Sequence, residues 1–181
     1  TAIIGGTGSG KSTIAKLILR FHDVTSGQLR FDGQDVRGMT QNELRGRIAY
    51  IPQKAWLFSG TIADNLRDGR EGAREPEMFH ALKVAQAGFV EELPEGLNAH
   101  VAQGGTNFSG GQKQRLSIAR ALMKQADLYI FDDSFSALDF KTDAALRKAL
   151  AAETGDAAVL IIAQRISTIL NADKIIGLDN G

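Results

Sequence analysis

"GGTGSGKS", residues 5–12, follows the apolar run "TAII" (1–4) and precedes a helical pattern that begins at Lys11. It fits the pattern G-x-x-x-x-G-K-[ST], and each residue type in it has a physical job. The glycines let the backbone curl so that its N–H groups surround a phosphate. The start of the following helix brings partial positive charge to the same point. In this pattern Lys11 reaches the β- and γ-phosphates, and the Ser12 hydroxyl is placed to ligate Mg2+. A glycine-rich turn matching by chance is expected in about one chain in a hundred of this length, or fewer. The strand–loop–helix setting makes chance rarer still. The stretch therefore implies a bound nucleoside triphosphate.

Outward from this loop, Ile14, Leu17, Ile18 and Phe21 fall at i, i+3, i+4 and i+7 and predict one apolar helix face. "QLRFDGQDV" (28–36) predicts a hairpin about Asp32-Gly33, and "RIAYIP" (47–52) a buried strand ending at Pro52. From about 54 to 125 the character changes. Pro76 opens a helix with Met78, Ala81, Leu82 and Ala85 on one face, and "FSGGQKQRLSIARALMK" (108–124) gives another with Ser109 as its N-cap. No strong strand is legible between Gly60 and Phe108. Strands then follow over 128–131, 158–162 and 174–178, with a helix over about 142–151. The expected fold class is α/β, with a mainly parallel sheet covered on both faces. Residues 1–53 and 126–181 form its core, and 54–125 an inserted helical subdomain.

The chain has 181 residues, near the size of one domain or a little above it. Hydrophobic residues at 43% and charged residues at 23% suit a globular core. The 21 basic and 21 acidic side chains cancel, which argues against a dedicated nucleic-acid binder. There is no cysteine, so disulfides and thiolate metal sites are excluded, in keeping with a reducing compartment. No apolar run approaches the roughly 18 residues that span a bilayer, and no secretory leader is legible. The start at "TAII" and the hairpin-turn signal Asn180-Gly181 at the end lead us to expect an excerpt of a larger protein. His22, His80 and His100 lie outside every motif and are expected in surface or partly buried, non-catalytic roles. Lys113, Arg115, Arg120 and Lys124 are expected to line a solvated or packing face of their helix.

"FSGGQKQRLSIARAL" (108–122) is the second strong motif. A capping role for Ser109 explains the helix start, but not two glycines and Gln112 together. An exposed helix N-terminus suits a phosphate, here a second one far from Lys11 in sequence. In "LYIFDDSFSALD" (128–139) an apolar run ends in adjacent carboxylates, Asp132 and Asp133. From end to end, and in order, these motifs resemble the nucleotide-binding domain of an ABC transporter. Gly6, Thr7, Gly8, Ser9, Gly10, Lys11, Ser12 and Thr13 match Walker A, and Gln53 in "IPQ" matches the Q-loop glutamine. Ser109, Gly110, Gly111 and Gln112 match the signature, Asp132 the Walker B aspartate, and Ser136, Ala137, Leu138 and Asp139 the D-loop.

The resemblance implies a P-loop NTPase, or RecA-like, core with an ABC-type helical subdomain. It implies ATP and Mg2+ as cofactors, with the metal on Ser12, Gln53 and Asp132. Two such domains would pair head to tail around two ATP molecules, the signature of each facing the ATP of the other. Closure and reopening of that sandwich would drive a membrane domain, placing this one at the cytoplasmic face of the membrane. "LFSGTIADNL" (57–66) and "VAQGGTNFSGG" (101–111) resemble exporters rather than importers, at segments that face the coupling helices of the membrane domain. Trp56, Leu57 and Phe58 read either as core or as part of that docking surface. The family's adenine-stacking aromatic lies upstream of Walker A.

Three positions depart from the family pattern. Asp133 stands where hydrolytic members carry the Glu that orients the attacking water, and Gln164 in "AQR" replaces the switch histidine. Gln103 stands where the X-loop of exporters has Glu. Asp is one methylene shorter than Glu, and Gln cannot carry charge or shuttle a proton as imidazole does. With Lys11, these two positions form the catalytic set. The expectation is a degenerate ATP site whose intact signature serves a different half-transporter, in a heterodimeric exporter. A self-sufficient ATPase of a homodimeric exporter stands as the alternative. A soluble ABC protein acting on DNA or ribosomes is a third reading, opposed by the neutral charge and by the exporter-like 57–66.

Overall fold

β1 (Ala2–Gly5) runs straight into the glycine loop, and α1 (Lys11–Ile18) leaves it. This computed structural model describes residues 1–179 and 181. The turn expected at Asn180-Gly181 falls, at Asn180, outside the described residues. β2 (Arg30–Phe31) and β3 (Gln34–Asp35) form the hairpin expected from sequence, paired at Phe31 and Gln34. Its two central residues, Asp32 (φ 52°) and Gly33 (φ 81°), are both left-handed, as a type I′ turn requires. α2 (Gln41–Gly46), capped by the Thr40 hydroxyl, leads into β4 (Ile48–Ile51). β5 (Gly60–Thr61), α3 (Ile62–Gly69), α4 (Glu75–Val84), α5 (Phe89–Glu92), β6 (His100–Val101) and α6 (Gly110–Met123) follow. β7 (Leu128–Asp132), α7 (Phe140–Glu153), β8 (Ala158–Ala163) and β9 (Ile175–Leu178) complete the chain.

The main sheet has five strands in the order β4-β7-β8-β1-β9, and the β7–β8, β8–β1 and β1–β9 pairings are all parallel. The fold is thus α/β with a mainly parallel sheet, of the P-loop NTPase class. Continuous apolar runs such as "VLIIA" in β8 are what strands buried on both faces look like in sequence. The chain divides into two compact units, residues 1–50, 126–133 and 157–181, and residues 51–125 and 134–156.

In the first unit Ile3, Ala15, Leu44, Ile48, Ile130 and Ile162 are buried in one apolar cluster beneath the loop. The helix face expected from sequence is met in part, with Ile14 and Ile18 packed against that cluster. Ala15 and Leu19 are the buried residues, while Phe21 is 52% exposed. The helix stops after Ile18, and left-handed Arg20 (φ 53°) breaks the helical register before Phe21 is reached. The Arg45 guanidinium covers that ring instead, 4.7 Å from its centroid.

In the second unit α3 and α4 both pack on α6, and Leu66, Met78, Leu82 and Ile118 on these helices are fully buried. α3 begins at a capping box in which Thr61 and Asp64 bond each other's backbone N–H. A Cβ on Gly69 would run into the Arg120 carbonyl, so this glycine permits the close approach of α3 to α6. Met78, Ala81, Leu82 and Ala85 are buried as expected. Where no strong strand is legible between Gly60 and Phe108, the structure has only the two-residue pair β5 and β6 among the described residues, antiparallel with Gly60 opposite Val101. Two-residue strands are too short to leave an alternating pattern in the sequence. The basic residues of α6 pack rather than solvate. Arg115 lies over the Phe89 ring at 5.0 Å and Arg120 over Phe58 at 5.2 Å. Burial lowers the pKa of Arg115, Arg120 and Lys124. His22 and His100 are exposed, and exposed His80 sits 2.9 Å from Glu153.

Two outcomes follow for stability. Ile130→Ala, in the middle of β7, leaves a cavity in the first unit and costs about 2–5 kcal/mol in denaturant unfolding. The Arg74 backbone N–H, then the Arg70 and Arg74 guanidiniums, hold the Glu77 carboxyl at about 2, against an ordinary 4.5. A folded-state value below the unfolded one stabilises fully above pH 4.5, and that contribution disappears as pH falls towards 2. Glu77→Gln therefore lowers the unfolding midpoint at neutral pH and makes its decline between pH 4.5 and 2 shallower.

Candidate nucleotide site

Parallel strands deliver their carboxyl ends to one edge of a sheet, where ligands of α/β folds bind. In the first unit β1 ends at Gly5, β7 at Asp132 and β8 at Ala163. The register sets Ile4 beside Ala163, and Asp132 beside Ile162. The glycine loop, the Asp132-Asp133 pair and Gln164 therefore leave three adjacent strands at the same edge.

Gly8 (φ 82°) and Gly10 (φ 96°) take left-handed backbone, and a Cβ on Gly6, Gly8 or Gly10 would meet no atom within 4 Å. The left-handed backbone, rather than crowding, is what calls for glycine at Gly8 and Gly10. Gly5 is needed for the opposite reason, since its Cβ would lie 2.6 Å from Ser9 Oγ. The Lys11 side chain is buried, its Nζ donating to the carbonyls of Gly5 (2.7 Å) and Gly6 (2.6 Å) and reaching Ser9 Oγ at 3.4 Å. Thr7, Ser12 and Thr13 are exposed.

Asp132 is only 5% exposed, and both its oxygens are held. Ser12 Oγ donates to Oδ1 at 3.0 Å, across 120 residues of sequence. Tyr50 Oη donates to Oδ2, also at 3.0 Å. Burial, and then the Asp132 charge, push the Tyr50 pKa well above its ordinary value, so the phenol keeps its proton and acts as donor. A hydroxyl and a carboxylate in contact are hard oxygen donors suited to Mg2+. Among the described residues there is no cluster of three His, Cys, Asp or Glu side chains that would hold a metal unaided. That matches the habit of Mg2+, which binds through one or two carboxylates plus substrate phosphates.

Asp133 is half-buried and left-handed (φ 50°), with its backbone N–H donating to Ile162 O at 2.8 Å. Gln164 is exposed just past the end of β8. Tyr50 is the one member of this group that the sequence did not disclose. Its partner lies 82 residues away, and within "IAYIP" it reads only as a strand residue.

Gln53, the signature and the D-loop belong to the second unit, where Gln53 is exposed. Ser109 Oγ accepts from Gln112 N (3.2 Å) and Gln112 Oε1 accepts from Ser109 N (2.9 Å). This capping box leaves the Gly110 and Gly111 N–H groups of the first turn without an intrahelical acceptor. Asp139 caps α7 by accepting from Thr142 N at 3.0 Å, Leu138 is buried, and Ser136 and Ala137 are exposed. The two readings of Trp56–Phe58 divide between residues: Leu57 is fully buried, while Trp56 and Phe58 are half exposed. Gln103 opens a 310 turn whose Gly104 (φ 70°) packs on Trp56, leaving a Cβ only 3.1 Å from the ring.

Residues 1–136 match the family model described as ABC transporter. An uncharacterized ABC transporter ATP-binding protein of Mycobacterium tuberculosis is 51% identical over 185 residues, covering 100% of this chain and 31% of that protein. A Staphylococcus aureus protein, provisionally named for multidrug export as an ATP-binding/permease protein, is 42% identical over 181 residues. It covers 99% of this chain and 31% of its own length. A solved structure of a bacterial Atm1-family ABC exporter with ATP bound matches with a TM-score of 0.96 at 41% identity. That match covers 99% of this chain and 32% of the exporter's. The chain thus spans about a third of the length of these relatives.

The loop geometry predicts how Gly10→Ala behaves. It forces an L side chain into left-handed backbone, costing about 1–2 kcal/mol, and so disturbs the curl that turns the loop N–H groups to a phosphate. Equilibrium binding should show ATP affinity reduced about tenfold or more. Gly72→Ala, at another left-handed glycine (φ 74°) with open surroundings, should lose stability without losing affinity.

Proposed function

The chain belongs to the ABC transporter family, and from that premise we propose that it is the ATP-binding domain of an exporter whose own site binds ATP with Mg2+ and turns it over poorly. One observation carries this reading. Asp133 and Gln164, the two departures from the hydrolytic pattern, leave neighbouring strands at the edge that also bears Lys11, Ser12 and Asp132. The binding half of the site is complete and the hydrolytic half is altered at both positions.

The loop N–H groups and the Lys11 ammonium would take the phosphates, and Ser12 and Asp132 would hold the metal; Gln53 is proposed as a further metal ligand from the family resemblance alone. Bound there, Mg2+ neutralises charge on the β- and γ-phosphates. Asp133 is the carboxylate that meets the attacking water, and it is short by one C–C bond, ~1.5 Å. Its N–H is tied to Ile162 O and its backbone is left-handed, so the strand end does not slide forward to make up the difference. Phosphoryl transfer depends on positioning and electrostatics, and a misplacement near 1 Å costs on the order of a hundredfold in rate. Gln164 donates a neutral hydrogen bond to a phosphate oxygen, without the charge or proton transfer of an imidazole.

In the second unit Ser109–Gln112 offers a capped helix N-terminus to the ATP of a partner domain. The partner is a second nucleotide-binding domain, from a different half-transporter. Trp56 and Phe58, with segments 57–66 and 101–111, meet the coupling helices of a membrane domain. Residues 1–53 and 126–181 serve as the ATP-binding core and 54–125 as the helical subdomain with Q-loop and signature. The domain works at the cytoplasmic face of a membrane and uses no nucleic acid. The Atm1-family and multidrug-export names of similar proteins support the transport direction. The net charge of zero supports a partner other than nucleic acid.

Steady-state hydrolysis by the full-length protein, purified without a second half-transporter, tests the reading. Turnover near background with ATP still bound is expected. Asp133→Glu combined with Gln164→His should raise it by on the order of a hundredfold. Rapid turnover by the unaltered protein would mean that Asp133 suffices, and would make the protein the self-sufficient ATPase of a homodimer.

A further inference from the structure

We propose that Tyr50 is a positioning residue for the metal-side carboxylate, its hydroxyl fixing the plane of Asp132 from the side opposite the phosphate loop. The inference rests on the reading of the site as one for ATP with Mg2+.

A carboxylate that is 5% exposed needs donors at its lone pairs to be stable there. Asp132 has two of different origin. Ser12 comes from the phosphate loop and shares the metal, so its hydroxyl serves two masters at Oδ1. Tyr50 comes from β4, the strand next to β7, and its 3.0 Å bond to Oδ2 involves no residue of the loop. With one oxygen held from each side, rotation of the carboxylate breaks both bonds at once. Removing Tyr50 Oη takes the donor from Oδ2 and leaves the carboxylate held through Oδ1, by the group that must also coordinate the metal. Groups that orient a ligating side chain in this way change metal affinity by about 10–100-fold.

The competing account is that Tyr50 is a strand side chain filling space. It is partly buried against the apolar cluster of the first unit, and a phenylalanine would fill the same volume. Tyr129, the chain's other tyrosine, provides the comparison. It is buried on β7 itself, and its hydroxyl accepts from Ala126 N at 3.2 Å.

The test is equilibrium ATP binding by the full-length protein, with Mg2+ titrated at fixed ATP and a parallel measurement in EDTA. Tyr50→Phe should raise the Mg2+ concentration at half-maximal binding by about tenfold or more and leave ATP affinity in EDTA unchanged. Tyr129→Phe should change neither. An unchanged Mg2+ midpoint in Tyr50→Phe overturns the inference, as does an equal loss of affinity with and without metal. Should Tyr50→Phe not fold, 4-aminophenylalanine and 4-fluorophenylalanine in place of Tyr50 carry the comparison. The ring that keeps a donor at the para position should hold the parent's midpoint while the fluoro ring shifts it, and equal behaviour of the two overturns the inference. A parent protein that binds no ATP in either condition fails the proposed function itself and this inference with it. A Mg2+-dependent parent with an unshifted Tyr50→Phe fails the inference alone.

Discussion

A carboxylate buried at the end of β7 is the constraint on which the first unit turns. Asp132 is almost without solvent, so it needs donors, and they come from α1 through Ser12 and from β4 through Tyr50. Those two bonds join segments far apart in sequence to one point on the sheet edge. The parallel order of the strands makes this possible, because β1, β7 and β8 all end at the same side. The same edge receives the glycine loop, whose left-handed Gly8 and Gly10 turn the chain from strand to helix. Binding site and fold are therefore one arrangement here: the residues that would hold nucleotide and metal also satisfy each other's buried polar groups.

How much of this was legible depended on whether a feature is local. The glycine loop, the Asp32-Gly33 hairpin, the Pro76 helix and the Ser109 cap are each set by residues within a few positions of one another, and their sequence patterns sufficed. α1 was legible as a helix, and Ile14 and Ile18 of its expected face do pack on the core, but the face does not reach Phe21, because left-handed Arg20 ends the helical register first. The β5–β6 ribbon left no signal, being two residues on each side with its partner strands some forty residues apart in the chain. Tyr50 was invisible for the same reason in stronger form. A hydroxyl meeting a carboxylate across 82 residues leaves no periodicity and no spacing to read.

The two departures at Asp133 and Gln164 gain meaning from their placement. Either alone is a modest change in side-chain chemistry. The strand register brings them to one edge, beside a metal-side pair that is unaltered. The Asp133 backbone is joined to the neighbouring strand through its bond to Ile162 O. The second unit carries its own finished feature, the Ser109–Gln112 capping box with two glycine N–H groups beyond it. On the proposed reading, these features together suit a chain that contributes unequally to a pair of sites.

The central claim is that ATP binds at Lys11, Ser12 and Asp132 and stays intact there. A single-turnover experiment addresses it directly: the full-length protein, in excess over labelled ATP with Mg2+, is quenched at intervals and the bound nucleotide identified. The account predicts that the label remains ATP over many minutes while staying bound. Conversion to ADP within seconds would contradict it.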